Sequence, residues 1–152
     1  MKVKVITETL NNLDIAVRQL DRAISLFFDE EDYISSLTLA GAAEEILGKI
    51  LNHEMSSSHS LDEVIKGALR LNDVPTGGHE EKKAKKEIAN IANFFKNRLK
   101  HYNAESDLTF SVDFYAAEII DRAIENYFKI TSNETPLMTR FKNEVLLATL
   151  KK

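Results

Sequence analysis

The stretch Ile34–Leu51, ISSLTLAGAAEEILGKIL, most constrains what this chain can become. At about 100° per residue, Leu37, Ala40, Gly41, Leu47, Gly48 and Leu51 share one side of a helix. Leu39, Ala43, Ile46 and Ile50 share a second, nearly opposite side. A helix apolar on two sides belongs inside a bundle rather than on its surface. Ala40, Gly41, Ala43 and Gly48 are small enough for neighbours to approach the backbone. A glycine inside a helix costs about 0.5–1 kcal/mol relative to alanine, so two of them predict close packing that offsets the cost. Glu44 falls within the Leu37–Leu51 side. A carboxylate there needs a partner or water, and a Lys, Arg or Tyr from another helix is expected in preference to a catalytic role.

Similar periodicity recurs on both sides of this stretch. Ile6, Leu10, Leu13, Val17, Leu20, Ile24 and Phe27 form a seam that predicts a first helix from Thr7 to Phe28. Asp32 is the expected N-cap of the central helix, which closes a hairpin. NHEMSSSHS after Leu51 reads as a polar loop, and Ser60 and Glu63 have capping-box spacing for a short third helix with Leu61, Val64, Ile65, Ala68 and Leu69 as its apolar side. Asn72–His79, with Pro75, Gly77 and Gly78, reads as a turn. A fourth helix is expected from Glu80 to Tyr102, burying Ala84, Ile88, Ile91, Phe95, Leu99 and Tyr102. A fifth runs from Ser111 to Ile130, and Thr135–Pro136 opens a short last one with Met138, Phe141, Val145 and Ala148 as its stripe. Nothing alternates with period two. The expected fold is a single all-α domain spanning 1–152, a helical bundle of four principal helices with two short accessory ones.

At 152 residues the chain is long enough to bury a real core. It has no cysteine, which excludes disulfides and thiolate metal sites and fits a cytoplasmic location. No signal-peptide core and no membrane-length apolar run is present, so a soluble protein and no membrane partner are expected. The net charge of −4 is unevenly spread. Glu8–Glu63 carries twelve acids against Arg18, Arg22 and Lys49, whereas His79–His101 carries seven Lys/Arg against three Glu. Such asymmetry marks either a nucleic-acid surface or two helix faces that attract each other within the bundle, the commoner case.

The nearest thing to a functional constellation lies on the fourth helix. On a helical wheel Asn90, Phe94, Asn97 and His101 fall within about 40°, flanked by Asn93 and Arg98 and roughly 120° from the Ile88–Phe95–Tyr102 stripe. Three amides, an arginine and a histidine around one phenylalanine suit a polar protein interface or a phosphate-bearing ligand; a solvated face with Phe94 packed on a neighbour is the plain alternative. His53, Glu54 and His59 lack a metal-site spacing and read as a solvated loop, and His79 reads as a helix-start residue. No metal site, no cofactor, no phosphate-binding glycine loop and no Ser or Cys nucleophile motif is expected.

The segments TLAGAAEEILGKIL and NFFKNRLKHYN resemble the HEPN superfamily, over roughly Thr7–Thr131. The resemblance implies a helical bundle, usually dimeric, that is either a metal-independent endoribonuclease of toxin or defence systems or a non-catalytic binding module. Laying the family's motif on His101 and Asn97 puts Lys96 where arginine is expected, with Arg98 nearby on the same helix. In the enzymes of this family the histidine would move protons at the ribose 2′-hydroxyl and the leaving oxygen while a cation stabilises the phosphorane-like transition state. Lysine supplies charge but not a planar two-pronged contact. The resemblance therefore implies His101, Arg98 and Lys96 as candidate catalytic residues. Asn97, Asn93, Asn90, Phe94 and Glu44 are the candidate binding residues. It favours a homodimeric binding module over the ribonuclease, with RNA, a nucleotide or another protein as partner.

Overall fold

The computed structural model describes residues 4–104 and 107–149, and no strand occurs among them. The first helix, α1 (Asn12–Asp29), begins at Asn12 and not at Thr7. Asn11 explains the difference: its side chain accepts from the Asp14 amide at 2.8 Å while its own amide donates to Asp14 Oδ2 at 3.1 Å. That reciprocal cap starts the helix there and leaves Ile6 and Leu10 outside it, exposed. From Leu13 onward the predicted seam faces inward, with Leu20 and Ile24 completely covered.

After a tight hairpin, α2 (Tyr33–Lys49) is capped as expected, Asp32 Oδ1 accepting from the Ser35 amide at 3.0 Å. The polar loop begins later than NHEMSSSHS suggests, because the helix continues through a π turn, Ile50–Glu54, that keeps Leu51 buried. Both apolar sides of α2 are covered. Leu37, Ala40, Gly41, Leu47, Gly48 and Leu51 are buried on one; Ala43 and Ile50 are buried on the other, with Leu39 and Ile46 half-buried.

Next, α3 (Ser60–Leu71) is capped by His59, whose amide donates to Asp62 Oδ2 at 3.2 Å. The Ser60/Glu63 box does not form. Ser60 is drawn instead to a later helix, and Glu63 accepts from Ser58 Oγ. Gly77 and Gly78 both have positive φ, 82° and 83°, which side chains rarely tolerate, and they turn the chain into α4 (Gly78–Ala92).

The expected continuous fourth helix is broken at Asn93. It resumes as α5 (Phe94–Arg98), and His101 and Tyr102 lie beyond its end. The predicted stripe survives only in part: Ala84, Ile88, Phe95 and Leu99 are half-buried, Leu99 against the core, but no residue of α4 is fully buried, Ile91 is 75% exposed and Tyr102 93%. Phe95 alone finds an aromatic seat, stacked on Phe110 at 4.4 Å and against Tyr115 at 4.2 Å.

The long helix α6 (Val112–Thr131) buries Ala116, Ile119, Ile120, Ala123 and Ile124 against the core. Arg122 meets Glu44, and further along Ile130 shares a surface cleft with Ile50, so α6 and α2 advance in the same direction. Finally α7 (Pro136–Phe141), capped by Thr135, drives Met138 and Phe141 into the core, where Phe141 packs edge-on against Phe27 and Phe28. It runs on through a π turn, Lys142–Leu146, into Leu147–Thr149. The result is an all-α bundle in which α2 is sandwiched between α1 and α6 and closed at one end by α7. No helix among the described residues is long and apolar enough to cross a membrane.

Candidate functional site

Glu44 lies on the covered side of α2, its side chain 4% exposed, and it is not alone. Lys96 Nζ from α5 donates to Glu44 Oε2 at 2.9 Å, and Arg122 Nη2 from α6 donates to Glu44 Oε1 at 2.9 Å. Both cations are as buried as the acid. Burial by itself would raise the Glu44 carboxyl, but the charges of Arg122 and Lys96, and the bonds from both, outweigh it and hold the group below the usual glutamate value. Glu44 is therefore an anion shared by two cations, the structural role its place in an apolar side suggested.

Gly41 makes the contact possible. A Cβ at that position would lie 2.6 Å from Lys96 Cγ and 2.7 Å from Cδ. The lysine stem crosses α2 through the gap left by the missing side chain, one turn before Glu44. The small residues of α2 thus admit a side chain on this face rather than a whole helix. Gly48 does the same for His59, whose ring would sit 3.3 Å from an added Cβ.

Arg122 also explains the break in the fourth helix. Its Nη2 donates to Asn93 Oδ1 at 2.9 Å and its Nη1 to the Ala92 carbonyl at 3.3 Å. The guanidinium thus fastens the end of α4 while it neutralises Glu44. Further along α6, Asn126 Oδ1 accepts from the Ser60 amide at 2.7 Å, and Ser60 Oγ donates to the Arg122 carbonyl at 3.3 Å. Arg122 and Asn126 are buried polar residues that sequence reasoning missed. The signal was present: each lies within the Ile119-bearing apolar side of α6, as Glu44 does on α2.

Above this triad opens a cleft of about 440 Å³, with Glu44 and Lys96 beneath it and Lys49, Asn52, His53 and Asn97 among its walls. Asn93 lines it too, so Lys96, Asn97, Asn93 and Glu44 converge. The remaining candidates do not join them. Asn90 and Phe94 border a smaller groove with Ile91, Phe95 and Tyr115. His101 is exposed past the end of α5, not on a helical face beside Asn97, and Arg98 Nη1 donates to the His101 carbonyl at 3.5 Å. Among the described residues no group of three or more His, Asp or Glu side chains is placed to hold a metal ion. No family model, no curated protein and no solved structure matches the chain.

Proposed function

We propose that this chain is a HEPN-like helical bundle working as a dimeric, non-catalytic binding module, with its ligand in the cleft beside Lys96 and Asn97. The position of Lys96 carries the reading. In a ribonuclease the cation at this motif position must follow charge as it develops on a phosphate. Here its ammonium is bound to a buried carboxylate that Arg122 also holds. A general acid–base group must also come within hydrogen-bond reach of the reacting proton, and His101 lies outside the cleft that Lys96 lines. The two halves of the catalytic motif therefore do not converge. The dimer is supported by a second face, where exposed Ile91, Phe94 and Phe114 flank the groove floored by Phe95 and Tyr115. A two-fold axis would set this patch against its own copy.

Incubation with single-stranded RNA, with and without EDTA, should leave the RNA intact. Cleavage that survives EDTA and is lost in His101→Ala would overturn the non-catalytic reading, with Arg98 as the cation. Sedimentation at micromolar concentration should show a dimer that Phe94→Glu dissociates. A 17.2 kDa species alone would remove the dimer from the proposal.

A further inference from the structure

The charges that line the cleft cancel. Lys96 is held by Glu44 at 2.9 Å and Lys49 by Glu45 at 3.2 Å, so each lining ammonium already has a lining carboxylate. An ion entering there would shed its water and meet no unpaired opposite charge. What the walls leave open is neutral. Asn52 and Asn97 are exposed, and among the described residues neither side-chain amide has a protein partner. Asn93 is fixed in orientation: a guanidinium only donates, so Arg122 takes its Oδ1 at 2.9 Å and leaves Nδ2 for another acceptor. His59, whose ring lies against Gly48, has its Nδ1 covered and without a partner among the described residues. Asn52 reaches the cleft from the π turn Ile50–Glu54, a widening of the helix of a kind that recurs at functional sites. Leu61 adds an apolar surface to the lining.

Taking the binding-module reading as its basis, we infer that the ligand of this cleft is an uncharged small molecule with a carboxamide or lactam edge. A side-chain carboxamide sets an acceptor oxygen beside two N–H donors. Its complement is an edge that sets a donor beside an acceptor, which an amide or lactam has and a carboxylate, a phosphate or a ketone lacks. Three such side chains line one cavity of about 440 Å³, a volume within the roughly 300–1,000 Å³ of small-molecule sites. Asn93 Nδ2 donates to the ligand carbonyl, the free amides of Asn52 and Asn97 pair with its N–H, and Leu61 covers an apolar face of the remainder.

The test is titration of the full chain with three probes built on one pyridine ring, followed by the side-chain amide resonances of Asn52, Asn93 and Asn97. Nicotinamide carries the amide edge, nicotinate a carboxylate, and 3-acetylpyridine an acceptor without a donor. Nicotinamide should shift the three resonances and saturate, and the other two should bind about tenfold more weakly for want of the N–H. Because no charge is used, nicotinamide affinity should hold between about 50 and 500 mM sodium chloride, a range that screens exposed charges strongly. Asn97→Leu, at an exposed site, should weaken nicotinamide by about fivefold, the scale of one neutral hydrogen bond, and leave the thermal unfolding midpoint unchanged. Tighter binding of nicotinate, weakened by salt, would overturn the uncharged ligand and leave the binding module standing. Equal binding of 3-acetylpyridine would overturn the amide edge and also leave the module standing. Nicotinamide binding unaltered in Asn97→Leu would move the site out of this cleft and overturn the inference. No resonance shift with any of the three would overturn the inference and the binding module together.

Discussion

The two parts of this bundle are held together by different physics. In the α1–α2–α6 core, Leu20, Ile24, Leu37, Leu47 and Ile120 are covered completely and the contacts are apolar. In the arm from α3 to α5, α4 buries nothing, and beside the apolar seats of Leu69, Phe95 and Leu99 the arm is fastened by buried polar bonds: Ser60 to Asn126, Lys96 to Glu44, and Arg122 to Asn93 and Ala92. An apolar seam is non-directional and forgiving of exchange between similar shapes. A buried polar network is directional, and removing one member strands the others. The core should therefore tolerate substitution where the arm does not.

The largest break in that contrast is expected from Glu44→Ala, which leaves Lys96 and Arg122 buried without their anion. Losing one partner of a buried pair costs about 3–5 kcal/mol. Chemical denaturation should show that loss, and hydrogen exchange should show α4 and α5 released while α1 keeps its protection. Equal loss of protection in α1 and α4 would mean that the arm is no separate unit. Gly41→Val comes next. Its side chain occupies the path of the Lys96 stem, an overpacking expected to cost about 1–3 kcal/mol, and the loss should shrink when Lys96 is already shortened to alanine. Independent, additive effects would count against the crossing.

Acid sharpens the contrast with a smaller effect. Because the Glu44 carboxyl lies below its usual value when folded, the stability it contributes is present above the usual glutamate range and fades as pH falls through the folded value. Asp21 and Asp121 act with opposite sign. Burial raises both, against the Thr135 bond at Asp21 and with help from Glu125 at Asp121, so their protonation as pH falls relieves strain. Glu44→Gln should remove only the first contribution, so the wild-type advantage over Glu44→Gln should narrow on acidification. An advantage that grew below pH 4 would contradict the assignment. The smallest effect belongs to His101→Ala. With its side chain exposed beyond α5, that change should stay within about 0.5 kcal/mol. A larger loss would require a contact for the imidazole.

What could be read from the sequence follows the same division. The seam of α1, the two-sided burial of α2, the caps at Asp32 and Thr135 and the partner demanded by Glu44 all come from local periodicity or from one residue out of place. The break at Asn93 does not. Its cause is Arg122, on α6, and no pattern within Glu80–Tyr102 reports a guanidinium from another helix. Extending a regular helix through Asn93 placed Asn97 and His101 on one face and gave Ile91 and Tyr102 a core they do not have. The start of α1 failed for a nearer reason, since the Asn11–Asp14 cap was written in the chain and the apolar period merely ran past it.

Because α2 and α6 run in the same direction, the chain must return from one end of the core to the other before they can pair, and everything from Ile50 to Ser111 is that return. Closing such a long loop is an entropic toll on the rate of assembly, but one that grows only logarithmically with length. The α1–α2 hairpin, by contrast, closes through a few residues. Folding should thus begin with the hairpin, capture α6 across a still unstructured excursion, and organise α3 to α5 last, once Arg122 and Glu44 are already in place to receive them.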